Sequence, residues 1–207
     1  MTTYKLTRQD NTTFGGCLWG EGVTHETSGE GNLCGPGWLH AYQHPLVAVF
    51  MNPIHADLSC PKLWECLGEG EYRNDHGLKC GFTRLTTVRK LPLPWVTKEQ
   101  RVAFAILCAK EACKDPEWTV WANNWLRGAD RNSDTARAAA RAAHETACEA
   151  ALVADWKASR AARVASRAAW AATLTADWEA DAAYTAVLAA DLAEIDLISL
   201  AQKAMKY

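Results

Sequence analysis

Cysteine and histidine side chains recur in the first half of the chain at spacings that could support chemistry. Cys34, His40 and His44 form a Cys-x5-His-x3-His pattern. Four more residues of the same types follow, namely Cys60, Cys66, His76 and Cys80. Four such ligands can hold zinc in a tetrahedral site. The spacings lack the Cys-x2-Cys knuckle of structural zinc domains, so the pattern favours packing residues and we expect no bound metal.

Nucleophilic catalysis is the second chemistry that these side chains could support. It needs a thiol or hydroxyl beside a base, and Cys34 could meet His40 or His44 in the folded chain. The glycine-rich run 15–37 contains no Gly-x-Ser-x-Gly elbow, no phosphate-binding loop and no dinucleotide fingerprint. The sequence therefore defines no catalytic set and no cofactor, and it favours a binding protein over an enzyme.

Aromatic, histidine and lysine side chains around residues 37–44 could instead contact a ligand or a partner. Aromatic rings stack on ligands, and cationic groups hold anions. The alternative for each of these residues is packing within the fold. The candidate binding residues are Trp38, His40, His44, His55, Trp64 and Lys79.

The elements that must position these residues fall into two halves of different composition. Of the 13 glycines, all but Gly128 lie within residues 15–81, whereas alanine dominates after residue 130. Glycine marks turns, and alanine has the highest helix propensity. We therefore predict an α+β fold. It has a small, glycine-rich mixed β/α domain over 1–96, two connecting helices packed on it over 97–130, and an alanine-rich helical hairpin or bundle over 131–207.

In the first domain, short runs of strand-forming residues lie between turn signals. The predicted strands cover residues 3–7, 17–19, 23–26, 62–66 and 83–91. The last two are joined through a turn at Asp75-His76-Gly77. Residues 44–51 predict a short helix, because Pro45 suits its first position and Asn52-Pro53 would end it.

The second half begins with clear helix-capping signals. Thr97 and Gln100 form a capping box, which predicts a helix to about residue 113. Asp115 and Pro116 start another helix, which Gly128 ends. Three tryptophans of this helix fall at i, i+3 and i+7 and favour core packing over a ligand platform, namely Trp118, Trp121 and Trp125.

The tail, residues 134–207, contains no glycine and no proline. One straight helix of that length would reach about 110 Å, so we predict a folded-back arrangement with a break near residues 173–175. Residues 131–170 are net basic and residues 171–207 net acidic, so antiparallel packing would bring unlike charges together. Small alanine surfaces would allow the helices to approach closely, with tryptophan as an occasional large anchor. Large apolar side chains are sparse in this tail; they are Leu152, Trp156, Val164, Trp170, Trp178, Tyr184, Leu188 and Leu192.

The overall charge and hydropathy disfavour several classes of partner. The formal net charge is −2, so no global field points to nucleic acid or to a membrane surface. The basic residues of the tail favour a solvated face paired to the acidic segment; they are Arg137, Arg141, Lys157, Arg160, Arg163 and Arg167. We expect neither a signal peptide nor a membrane span, since the sequence lacks both patterns. The expected location is the cytoplasm, with reduced thiols.

Several segments carry a resemblance to a known family. They are LCGPGWLHAY at 33–42, NPIHA at 52–56, LWE at 63–65, HGLK at 76–79, LPLP at 91–94 and EQR at 99–101. They resemble an uncharacterised family of bacteriophage, prophage and bacterial proteins, whose alanine-rich helical tails end in a segment such as Ile195-Asp196-Leu197. The resemblance covers most of residues 30–110. It implies a small, phage-associated accessory protein of the host cytoplasm and no catalytic residues.

Binding is the function that the sequence favours. The ten tryptophans exceed what a core of this size needs, and tryptophan is enriched at binding hot spots. We expect the chain to bind a host or defence protein as an inhibitor or adaptor, with self-association through the alanine-rich helices as a second option. Three alternatives stay open. They are a binder of a nucleotide signal, a virion component, and an ADP-ribosyltransferase-like enzyme that uses residue types found at 25–28 and at Glu65.

Overall fold

The computed structural model describes residues 1–153, 155–174 and 178–207, and the chain divides into two compact units. The first unit spans Met1–Trp95 and the second spans Val96–Tyr207. Strands lie in the first unit and most helices in the second, with 48% helix and 21% strand over the structure. The predicted α+β class is therefore confirmed.

The first unit, every residue of which is described, is built around a five-stranded antiparallel sheet. Its strands are β1 (Thr2–Thr7), β2 (Thr24–Glu26), β3 (Leu39–Ala41), β4 (Lys62–Asp75) and β5 (Lys79–Leu91). Their order is β1-β4-β5-β2, and β3 also pairs with β5. The sheet closes on itself, because Tyr42 and Tyr4 exchange two backbone hydrogen bonds of 2.7 and 2.8 Å. This closure joins the end of β3 to β1 and gives the sheet an enclosed face.

The turn between β4 and β5 confirms the prediction at Asp75-His76-Gly77. His76 and Gly77 both have positive φ, 47° and 79°, as a type I′ turn requires. The N–H of Leu78 donates to the carbonyl of Asp75 at 2.7 Å. Both strands are longer than predicted, because Glu69 and residues 72–75, most of them exposed, still pair with β5 on either side of an irregularity in the register.

Helix α1 (Pro45–His55) begins at the predicted proline but continues through Pro53, which the sequence analysis expected to end it. The carbonyl of Asn52 accepts from the N–H groups of Ala56 and Asp57 at 3.1 and 2.7 Å. The Asn52 side chain also exchanges two hydrogen bonds with the backbone of Leu58. These hydrogen bonds close the last turn of α1. The backbone N–H that Pro53 lacks therefore does not end the helix.

The strand predicted at residues 17–19 is wrong. Phe14–Gly16 instead form a short 3-10 turn in which Gly15 and Gly16 have positive φ. Leu18 makes only an isolated bridge with Thr12. Two consecutive glycines in the left-handed region reverse the chain and leave no extended run to pair.

The second unit packs its helices around α2 (Lys98–Ala112). The other described helices are α3 (Pro116–Leu126), α4 (Ser133–Leu152), α5 (Trp156–Ala171), α6 (Trp178–Ala190) and α7 (Leu197–Ala204). Eight consecutive residues of α2, 102–109, are buried. A helix that is buried all round must lie at the centre of its unit, and α2 indeed contacts α3, α5, α6 and α7.

The capping predictions of the second unit are confirmed. Thr97 Oγ1 accepts from the N–H of Gln100 at 3.2 Å, and Gln100 Oε1 accepts from the N–H of Thr97 at 2.9 Å. Asp115 caps α3 by accepting from the N–H of Trp118 at 2.7 Å. The predicted tryptophan face is buried, which confirms its role in the core: Trp118, Trp121 and Trp125.

The tail folds back, and its first reversal lies where none was predicted. α4 ends at Leu152, and Asp155 caps α5 by accepting from the N–H of Ala158 at 3.0 Å. The break predicted near 173–175 falls between the end of α5 at Ala171 and the start of α6 at Trp178. Its last residue, Thr175, lies outside the described residues.

Small side chains join α4 to α5. The hydroxyls of Ser159 and Ser166 donate to the carbonyls of Ala147 and Ala140, at 2.8 and 2.9 Å, and all four residues are buried. Since the later serine contacts the earlier alanine, the two helices run antiparallel. Alanine and serine allow the backbones to come close enough for these bonds, which a larger side chain would prevent.

Unlike charges meet between α5 and α6, as predicted. Arg167 pairs with Asp181 of α6 at 2.6 Å, and Arg160 pairs with Asp191, the residue directly after α6, at 3.3 Å. The guanidinium of Arg167 also lies 4.6 Å from the ring centroid of Tyr184. Among the described residues, no helix has both the length and the apolar character that crossing a bilayer requires.

Candidate functional site

The glycine-rich loop of the first unit presents Cys34 at the tip of a tight turn, which we call the thiol turn (residues 32–35). The N–H of Gly35 donates to the carbonyl of Asn32 at 2.7 Å and closes the turn. The Cys34 side chain is exposed, whereas the Lys79 side chain beneath it is only 14% exposed. Lys79 Nζ lies 2.9 Å from Cys34 Sγ and 3.9 Å from Asp75 Oδ2. The structure therefore pairs Cys34 with a lysine.

Side chains of β3 and the β4–β5 hairpin fix the loop that carries the thiol turn. The carbonyl of Gly31 accepts from Arg73 Nη1 at 2.8 Å and from Trp38 Nε1 at 3.4 Å. The His40 ring N–H donates to the carbonyl of Leu33. Arg73 also lies over the Trp38 ring, 4.6 Å from its centroid. These contacts hold in place the segment that leads into Cys34.

Three of the six predicted binding residues lie in one neighbourhood. His40 and Lys79 both contact the loop of the thiol turn, and the charge of Lys79 acts on both His40 and His55. Burial, followed by the charges of Lys79 and His40, lowers the pKa of His55 to about 4. Burial also lowers the pKa of His40. Both imidazoles are therefore neutral at pH 7.

The His55 ring packs on Tyr42, with ring centroids 6.0 Å apart and an interplanar angle of 22°. Its Nδ1 atom is buried and has no hydrogen-bond partner among the described residues. A buried polar atom without a partner carries a desolvation cost, which agrees with the lowered pKa of this side chain.

The other three predicted binding residues hold the fold together. Trp64 is buried and its Nε1 donates to Thr7 Oγ1 at 3.0 Å. His44 caps α1, where its Nδ1 accepts from the N–H of Leu46 at 3.2 Å. Trp38 is buried beneath Arg73. The structure does not bring these side chains together into one open pocket.

Sequence reasoning missed a buried lysine on the enclosed face of the sheet. Lys5 Nζ donates to the carbonyl of His40 at 2.8 Å and lies 4.4 Å from the ring centroid of Trp19. Burial lowers the pKa of Lys5 to about 8, although the nearby Cys66 thiol partly opposes the shift. The alternation Thr3, Lys5, Thr7 in a predicted strand is typical of a solvent-facing side, and only the closure of the sheet makes that side interior.

In the second unit, the turn between α4 and α5 exposes large apolar side chains. Leu152, Val153 and Trp156 are 87%, 77% and 66% exposed, and we call them the apolar turn. The prediction that tryptophan anchors the helix packing is wrong for Trp156, which is mostly exposed. The helices meet through alanine and serine instead, so the large side chains at their ends point to solvent.

A cavity of about 580 Å³ opens beside the apolar turn. Its apolar lining comes from the end of α2, from α5 and from the loop after α6, and includes Ala112, Cys113, Ala158, Ala161, Ala162, Leu192 and Ala193. Its polar lining carries charges of both signs and includes Glu111, Lys114, Asp115, Thr146, Asp155 and Lys157. Asp155 and Lys157 line the cavity and flank Trp156 in the sequence, so the cavity lies next to the start of α5, where the apolar turn ends.

In the part of the chain that the structure describes, no three His, Cys, Asp or Glu side chains lie close enough together to hold a metal ion. Comparison of the chain with protein-family models, with curated proteins and with solved structures finds no match.

Proposed function

We propose that the chain is a binding protein that recognises a partner protein through the apolar turn and the adjoining cavity, without catalysing a reaction. The exposure of Leu152, Val153 and Trp156 is the observation that carries this proposal. Single exposed apolar residues are ordinary on protein surfaces, but a group of them marks an interaction site. Tryptophan is the residue type most enriched at the energetic centre of interfaces.

The cavity provides a binding site for an apolar side chain of the partner protein. Its lining of alanine and leucine removes an inserted side chain from water, which supplies the main favourable term in association. Glu111, Lys114 and Lys157 surround it with charges of both signs, which suit a mixed-charge rim around a buried anchor. The partner that fits this surface is a folded protein or helix with an apolar side chain flanked by charged ones.

The resemblance to phage and prophage proteins supports a host or defence protein as this partner, met in the host cytoplasm. An inhibitor or adaptor role follows from this kind of binding, since occupying a surface of another protein is sufficient for either. Small-ligand binding in the same cavity and self-association are the two competing outcomes of the test.

The test compares capture by the whole chain with capture by two tryptophan variants. Trp156→Ala removes the centre of the apolar turn, and Trp95→Ala removes a still more exposed tryptophan of the first unit, which is 84% exposed. We expect wild type and Trp95→Ala to retain the same protein from a bacterial host extract and Trp156→Ala to lose it. A photo-crosslinker at position 153 should then join that protein.

Equal capture by all three proteins, or crosslinking only to a second copy of the chain, would overturn the proposal. So would a cavity filled by a small molecule in the native complex, detected by mass spectrometry, with no protein bound. Light scattering of the purified chain separates self-association from capture, because it reports the mass of the chain alone.

A further inference from the structure

We propose that Cys34 and Lys79 form a covalent sulfur–nitrogen bond when the protein meets a peroxide, so that the thiol turn carries an oxidative modification site. The two reacting atoms already lie 2.9 Å apart. Cys34 is exposed to a small oxidant, and Lys79 lies beneath it, close to Asp75. Arg73, Trp38 and His40 bond the carbonyls of Gly31 and Leu33 and so hold the segment that leads into Cys34, which builds the approach of the two atoms into the fold.

The position of Lys79 distinguishes Cys34 from the other seven cysteines. Lys79 Nζ lies within hydrogen-bond distance of Cys34 Sγ, and among the described residues no other cysteine sulfur accepts a hydrogen bond from a lysine. The exposed alternatives are Cys60 and Cys148, and Cys148 Sγ lies 3.7 Å from His144 Nε2. Burial raises the pKa of Cys66 and of Cys80 to about 12, which suppresses their thiolates.

The chemistry has two balanced steps. Sulfur attacks one oxygen of hydrogen peroxide, the O–O bond breaks, and the products are the sulfenic acid of Cys34 and one water. The Lys79 ammonium then loses a proton to solvent, its nitrogen lone pair attacks the oxidised sulfur, and the S–O bond breaks with loss of a second water. Sulfur has been oxidised and peroxide reduced, and the new S–N bond is a sulfenamide.

The bond would tie the thiol turn to the start of β5. Residues 34 and 79 are far apart in the sequence, so the link closes a long loop and restricts the unfolded chain as a disulfide does. A thiol reductant restores both side chains, because sulfenamide sulfur is open to attack by thiolate. The site is therefore reversible, unlike one in which sulfur is oxidised further.

The experiment treats the full chain with hydrogen peroxide in a Cys60→Ser/Cys148→Ser background and measures intact and peptide masses. We expect a loss of about 2 Da, mapped to a crosslink between the peptides of Cys34 and Lys79 and reversed by dithiothreitol. Cys34→Ser should abolish the mass loss. Lys79→Arg keeps the positive charge but should also abolish it, leaving Cys34 as a sulfenic acid that dimedone traps.

Three outcomes would overturn the proposal. The first is dimedone-trapped or fully oxidised Cys34 in the Lys79-containing protein with no crosslink. The second is a mass loss that persists in Lys79→Arg, which would place the bond elsewhere. The third is a disulfide between copies through Cys34, seen as a dimer that reductant dissociates.

Discussion

Arg167 Nη1 lies 2.6 Å from Asp181 Oδ1, and this ion pair joins α5 to α6 across the fold-back of the tail. The two side chains are 44% and 28% exposed, so water screens their attraction. A double-mutant cycle of Arg167→Ala and Asp181→Ala should give a coupling energy of about 0.5 kcal/mol that shrinks in high salt. Coupling that is absent at low salt would show that opposite charge does not help to join these helices.

Alanine packing between α4 and α5 is the second testable feature. Ala140 is fully buried where Ser166 donates to its carbonyl. Ala140→Leu should lower the free energy of unfolding by about 1–3 kcal/mol, because the added carbons force the helices apart. Ala138→Leu, at an exposed position of the same helix, is the matched control and should change stability little. Similar losses from both variants, measured by chemical denaturation, would contradict the close approach.

The fold was predictable where one local signal decides it. Helix starts at Thr97 and Asp115 depend on side chains that accept from nearby backbone N–H groups, and the structure has both. The start of α5 carries the same kind of signal, the cap at Asp155, but uninterrupted helix propensity before and after it hid this boundary. Pro53 shows the reverse case. Proline usually ends a helix, but α1 continues through Pro53 because hydrogen bonds of Asn52 with Ala56, Asp57 and Leu58 close the last turn.

The candidate sites were less predictable, because they depend on contacts between distant residues. The sequence placed Cys34 with His40 or His44 by proximity along the chain, but the strand pairing of β3 with β5 brings Lys79 to it instead. The apolar turn was missed because Leu152 and Trp156 have the residue types of a core. Only the packing of alanine against serine shows that the core has no room for them.

Buried Lys5 should make stability depend on pH. Its pKa is about 8 in the folded protein and about 10.4 in an unfolded chain. The unfolded state therefore binds more protons between these values, and the free energy of unfolding should rise with pH from 8 to 10. Relative to Lys5→Met, wild type should gain on the order of 3 kcal/mol over this range. Parallel pH profiles for the two proteins would show that Lys5 is not buried as described.

His55 should make the stability of the protein depend on pH in the acid range. Burial lowers its pKa to about 4 in the folded protein, whereas an unfolded histidine titrates near 6.5. As pH falls from 6.5 to 4, His55 becomes protonated in the unfolded state but stays neutral in the folded state. The free energy of unfolding of the wild type should therefore fall. His55→Phe keeps a ring against Tyr42 and should lose less over the same interval. Denaturation at several pH values measures this, and an equal loss in both proteins would contradict the assignment.

The affinity of the purified chain for its captured partner tests the proposed binding surface most directly. Isothermal titration calorimetry should show that Trp156→Ala raises the dissociation constant by about 30-fold. This loss of affinity corresponds to about 2 kcal/mol, as expected for a tryptophan at an interface centre. Trp95→Ala should bind as wild type does. Unchanged affinity for Trp156→Ala, with the variant folded and of the same mass, would contradict the account.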